Sequence, residues 1–107
     1  MKRITLCGST KFKKAFEEWN KRLTLRGNLV YSVAFFGHAD GLAITDEEKA
    51  MLDLVHLKKI DHSDEIFVLD VNGYIGESTR NVIDHAVKSG KNIRYLSKEC
   101  PDWKESA

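Results

Sequence analysis

Ile66-Phe67-Val68-Leu69 is an uninterrupted run of four apolar residues, too short to be a helix, and it reads as a strand buried on both faces. Such a strand belongs in the interior of a sheet, with helices covering it above and below. The rest of the chain supplies those helices. Ile4-Thr5-Leu6-Cys7 is a β-prone run ending in Gly8-Ser9-Thr10, after which Phe12, Ala15, Phe16, Trp19 and Leu23 recur at helical spacing. Gly27 and Asn28 follow as a C-cap, and Leu29 through Val33 reads as a second strand. Residues 34–44 form a loop with two glycines. Thr45 and Glu48 have capping-box spacing and open a helix to about His62, with Leu52, Val55 and Ile60 as its core-facing positions. After the buried strand, Asn72 through Gly76 break the pattern, Ser78 or Thr79 caps a third helix that ends at Gly90, and Asn92 through Leu96 forms the last strand. The tail from Ser97, with Pro101 and Trp103, follows no clear pattern.

This β-α-β-α-β-α-β alternation calls for right-handed crossovers and a parallel sheet of about four strands, an α/β fold with helices on both faces. At 107 residues the whole chain, 1–107, is expected to be a single domain. A chain of this size buries only about 60–70% of the surface it exposes when unfolded, so a homo-oligomer is expected. Its 17 basic and 16 acidic residues nearly cancel without forming blocks, which argues against a nucleic acid duplex as partner. No apolar run approaches a membrane span and no signal peptide is evident, so the expected location is cytoplasmic, without a membrane partner. Cys7 and Cys100 stand far apart and read as reduced thiols. The four histidines have no metal-ligand spacing, and neither a metal nor a cofactor is expected.

In open parallel sheets ligands bind beyond the carboxyl ends of the strands, where strand order reverses. Three polar or glycine-rich turns fall there. Gly8-Ser9-Thr10 precedes a helix whose free N–H groups favour an anion, and it is equally readable as a plain glycine turn, since neither Walker nor GxGxxG spacing is present. Gly73-Tyr74-Ile75-Gly76-Glu77-Ser78-Thr79-Arg80 offers a second anion site. Asp70, at the end of the buried strand, is a candidate ribose ligand or base, or else a strand-end carboxylate capping its own turn. The third turn carries Phe35, Phe36 and His38. Phe35, Phe36, Tyr31 and Tyr74 are candidates for stacking on a base or else close a small core, with Phe36 and Tyr74 nearest the expected site, and His38 is either a pocket residue or a surface histidine. His56 and Lys59 read as rim residues, and Cys7 as packed rather than reactive.

From Ile4 to Leu96 the chain resembles small phage and bacterial proteins related to the nucleoside 2-deoxyribosyltransferases and deoxynucleotide N-hydrolases. The resemblance is carried by Leu6-Cys7-Gly8-Ser9-Thr10-Lys11-Phe12, by Tyr31 through His38, by His56 through Asp61 with Ser63 through Ile66, and by Gly73 through Arg80. It implies a three-layer, flavodoxin- or Rossmann-like sheet and a nucleoside or nucleotide pocket, often completed by a neighbouring subunit. It also implies cleavage or exchange of an N-glycosidic bond. In that family a glutamate near the start of the last helix attacks the anomeric carbon, because a carboxylate can trap an oxocarbenium-like centre. Aligning Ala86 and Gly90-Lys91 with the family pattern puts Val82 at the glutamate position, and the family's helix aspartate falls at His56.

Valine has no nucleophile. The expected function is therefore a nucleoside- or nucleotide-binding protein contacting its ligand through Gly8, Ser9, Thr10, Phe36, His38, Asp70, Gly73, Tyr74, Gly76, Ser78 and Thr79. The alternative is an active N-glycosidase or deoxyribosyltransferase using a displaced carboxylate, Glu77 or Asp70. Asp84, about 200° around the helix from Val82, is a poor substitute. A purely structural domain is disfavoured by three converging polar turns.

Overall fold

A computed structural model describes residues 1–105, with the side chains of His38 and Ala39 outside the described residues. Four strands, β1 (Arg3–Cys7), β2 (Leu29–Tyr31), β3 (Glu65–Val68) and β4 (Asn92–Tyr95), form one sheet in the order β2-β1-β3-β4, all parallel. The helices are α1 (Lys13–Leu25), α2 (Gly37–Asp40), α3 (Asp46–Asp61), α4 (Glu77–Lys88) and α5 (Leu96–Glu99). This is a three-layer α/β fold of flavodoxin- or Rossmann-like type, and its strand order reverses between β1 and β3.

The side-chain period of two sorts the core. Ile4, Leu6, Phe67 and Leu69 face α1 and meet Ala15, Phe16, Trp19, Leu23 and Leu96, whereas Cys7, Ile66 and Val68 face α3 and α4 and meet Ile60 and Ala86. All four residues of β3 are buried, as expected of the central apolar run. Its first residue, Glu65, is 2% exposed and paired with Arg94 at 3.0 Å and Lys2 at 3.6 Å, which keeps a buried carboxylate compensated.

Several boundaries differ from the sequence reading. β2 ends at Tyr31 rather than Val33, and the following loop contains the short α2. The Thr45–Glu48 capping box forms as expected, with Thr45 Oγ1 accepting from Glu48 N at 3.1 Å and Thr45 N donating to Glu48 Oε1 at 2.9 Å. α4 begins one residue before Ser78 and its N-cap is Gly76 without a side-chain cap, so Ser78 and Thr79 sit inside the first turn instead of capping it. The tail folds back: Ser97 lies in α5, and Cys100 and Trp103 pack against the α1-side core.

The largest departure is α3. Only Ile60 is buried, Leu52 is half-buried and Val55 is 42% exposed, so the first three turns stand away from the sheet and leave Met51 and Leu54 open as well. This overhang makes one wall of a cavity.

Candidate functional site

Beyond the carboxyl ends of β1 and β3, and running down between α3 and α4, lies an open cavity of about 970 Å³. Its upper end is built by the two turns at the point where strand order reverses. Gly8 closes β1 at φ +154°, tight against Leu69 at the end of β3. Ser9 Oγ then accepts from Lys11 N at 3.4 Å and Ser9 O from Phe12 N at 3.0 Å, holding the turn that leads into α1. Opposite it, Val71 to Gly73 make a single 3₁₀ turn in which Asn72 (φ 55°) and Gly73 (φ 78°) are left-handed, and this swings Tyr74 toward the first turn. The Tyr74 ring meets Phe12 edge to face at 5.8 Å, and Lys11 Nζ lies 3.5 Å from the Tyr74 ring centre, a cation–π clasp between the two turns.

Gly8, Ser9, Thr10, Tyr74, Gly76, Glu77, Ser78 and Thr79 all line this cavity. The uncapped N–H groups of the first turn of α4, at its positive end, belong to the same set of residues. Three expected ligand residues stand elsewhere. Phe36 is directed into the α1-side core, edge to face with Phe16 at 5.4 Å, and the aromatic that lines the cavity from this loop is Phe35. Gly73 shapes the turn but is not part of the lining. Asp70 is 4% exposed, and both its oxygens accept from Ser97, Oδ1 from the backbone N–H at 2.9 Å and Oδ2 from the hydroxyl at 2.6 Å. Asp70 therefore fastens α5 to the end of β3. The side chain of His38 lies outside the described residues.

The lower part of the cavity is built by residues outside the three strand-end turns. Asp53, His56 and Lys59 follow each other at i, i+3 and i+6 on the overhanging part of α3, and Val82, Asp84, His85 and Lys88 form the facing side on α4. The cavity is wide enough to be lined by Val82 and Asp84 together, despite their angular separation on the helix. Val82 is half-buried and packs with Leu57 and Ile83 against the α3–α4 core. Lys59 Nζ donates to Ser32 O at 2.7 Å, and His85 Nε2 pairs with Asp61 Oδ1 at 2.8 Å, joining the two helices at the far end. That pairing, through its hydrogen bond first, holds the Asp61 carboxyl below its usual range. His56 behaves differently: burial first, then the neighbouring Lys59, pulls its imidazole down to about 4 against the opposing influence of Asp53. Cys7, fully buried behind the site, has its thiol pushed far up by burial, which suits a packed rather than reactive sulfur. Among the described residues no cluster of three metal-ligating side chains occurs.

No protein-family model matches the sequence, and no curated protein does. Among solved structures, the chain is similar to the CMP N-glycosidase BcmB of Clostridium botulinum, with a TM-score of 0.60 and 21% identity over 88% of this chain and 70% of that one. At that identity the likeness establishes a shared fold.

Proposed function

We propose that the protein binds a nucleoside or nucleotide in this cavity and holds it intact. The observation that carries the reading is the cavity itself. In its favour, Ser9, Thr10, Ser78 and Thr79 and the first turn of α4 line one end, where an anion is favoured, and Phe35 lines the wall as an aromatic on which a base can stack. Likeness in fold to a protein that acts on CMP supports the ligand class. Val82 supports the absence of cleavage, because the position that the resemblance assigns to a glutamate nucleophile is a hydrocarbon facing the cavity.

A second reading, N-glycosidic cleavage or exchange by a displaced carboxylate, has Glu77 in its favour, since Glu77 lines the upper cavity beside the two hydroxyl-bearing turns. Asp70 is a weaker candidate, with both its oxygens committed to Ser97. A second copy of the chain covering Leu42, Met51, Leu54 and Val55 would complete the open side of the cavity, and light scattering checks this assembly.

The deciding experiment is incubation of the purified protein with a mixed nucleoside and nucleotide panel, followed by chromatography with mass detection of retained ligand and released base. Retention of an intact nucleotide without free base is the expected result. Free base above a no-protein control moves the assignment to the second reading, and no retention and no release overturns both.

A further inference from the structure

The face of α4 that lines the cavity runs through Ser78, Val82, His85 and Lys88, steps of three and four residues that share one side of a helix. His85 is the member of this row with a carboxylate behind it. Its Nε2 lies 2.8 Å from Oδ1 of Asp61, the last residue of α3, and its side chain is 32% exposed. Asp61 itself is not part of the lining.

Asp61 decides which ring nitrogen carries the proton. An ionised carboxylate only accepts, and the hydrogen bond to His85 holds the Asp61 carboxyl below its usual range, so it is ionised at neutral pH. Nε2 therefore donates, and in the neutral ring Nδ1 is left as a lone pair. Nδ1 has no hydrogen-bond partner among the described residues. The buried side-chain atoms without a partner there are Trp19 Nε1 and His56 Nδ1, so His85 Nδ1 keeps surface that a ligand can reach. Of the polar side chains around it, Lys59 is held by Ser32 O at 2.7 Å and Asp53 by Lys49 at 3.1 Å, and Asp84 and Lys88 are exposed.

The distance from the anion-favouring end is informative. Seven residues separate Ser78 from His85, a rise of about 10 Å along α4. That is comparable with the reach of a nucleoside monophosphate from its phosphate to the far edge of its base. With the phosphate at the first turn of α4, the edge of the base comes to His85.

We infer that His85 is a specificity-determining residue whose Nδ1 accepts a hydrogen bond from an N–H on the edge of the bound base, a ring N–H or an exocyclic amino group, with Asp61 as the positioning residue that fixes the ring. The inference rests on the nucleotide-binding reading above. It gives the two ends of the cavity different tasks: the turns hold the anion, and the far end of α4 reads the base.

Calorimetric titration of CMP, UMP, AMP, GMP and ribose 5-phosphate into the parent and His85→Leu at pH 8 tests it, with ribose 5-phosphate as the probe that has no base. The parent should bind at least one nucleotide more tightly than ribose 5-phosphate. His85→Leu should weaken that nucleotide about tenfold, the equivalent of about 1.4 kcal/mol, and leave ribose 5-phosphate within about twofold. ¹⁵N spectra of the histidine-labelled parent give a readout independent of that variant: His85 should be the Nε2–H tautomer, and the nucleotide but not ribose 5-phosphate should move its Nδ1 resonance. Asp61→Ala should show both tautomers, which a merely structural tie between α3 and α4 would not require, and a single unchanged tautomer removes Asp61 from the assignment. If the parent binds a nucleotide but His85→Leu binds it equally well, or loses ribose 5-phosphate to the same extent, or Nδ1 does not respond, the role of His85 is overturned while the nucleotide reading stands. If the parent binds none of the probes, the nucleotide reading falls and the role of His85 with it.

Discussion

A side chain on Gly8 would run into Leu69: a β-carbon built there lies 3.1 Å from the Leu69 carbonyl oxygen and 3.3 Å from the Leu69 Cβ. The backbone at Gly8 is also at φ +154°, a conformation that residues with a side chain rarely adopt. The close approach of the two strand ends at the reversal of strand order is thus eased by the lack of a β-carbon on one of them. Gly8→Ala is expected to destabilise the fold by about 1–3 kcal/mol and to spread the β1 and β3 ends. Urea denaturation measures the first effect, and a more than tenfold loss of nucleotide affinity in the still-folded variant reports the second.

Asp70 and Ser97 form a clasp that separates structural from ligand-binding carboxylates. Asp70→Ala leaves the Ser97 N–H and hydroxyl without their acceptor and frees α5 from β3. The expected cost is about 1–3 kcal/mol in urea unfolding, with nucleotide affinity changed less than threefold at temperatures where the variant is folded. A tenfold loss of affinity at unchanged stability would return Asp70 to the ligand.

Much of this architecture is legible in the chain because it is written in local signals. The Ile66–Leu69 run, the Phe12-to-Leu23 periodicity and the Thr45–Glu48 box each report on neighbours within one or two turns, and the strands and helices stand where they indicate. The turns at Gly8 to Thr10 and Gly76 to Thr79 were legible for the same reason, since loops at strand ends are placed by topology alone. What the chain conceals is the direction of side chains that depends on distant partners. Phe35 and Phe36 are adjacent and chemically identical, and only the presence of Phe16 beneath the loop decides which one leaves the cavity. Asp70 is drawn away by a serine 27 residues later. Leu52 and Val55 have the spacing of core positions, yet α3 projects past the sheet, so the regular rule fails where there is no layer to pack against. Asp53, His56 and Lys59 line the cavity from α3, and nothing in the local sequence says that this side of the helix borders one.

The imidazole of His56 makes stability depend on pH in a defined window. In the unfolded chain it takes up a proton near 6.5, and in the folded protein it resists until about 4. Between these values the unfolded state binds more protons, so the contribution is complete above about pH 6.5 and is lost as the pH falls toward 4. The full loss is on the order of 3 kcal/mol. Unfolding free energies at pH 7 and 4.5 should therefore differ less in His56→Leu than in the parent, and equal differences in both proteins would contradict a neutral buried imidazole.

Val82→Glu tests whether a glutamate at the position that the resemblance assigns to the nucleophile gives this chain glycosidic activity. Val82 faces the cavity on α4 with Leu57 and Ile83 around it, so a glutamate there has space for its carboxylate on the open side and apolar contact for its methylenes. The partly apolar surroundings desolvate the carboxylate, which raises its pKa and leaves the ionised fraction more reactive toward an oxocarbenium-like centre. His56 is neutral and stands where the resemblance places a helix aspartate, and this limits how well the new carboxylate is oriented. The single variant is expected to release base from CMP slowly, at least tenfold above the parent, and the double variant with His56→Asp should be faster again. Measured by chromatographic release of cytosine, activity confined to the variants supports a binding protein that lacks the nucleophile. Activity already present in the parent, unchanged by Val82→Glu and abolished by Glu77→Gln, would instead assign the reaction to Glu77.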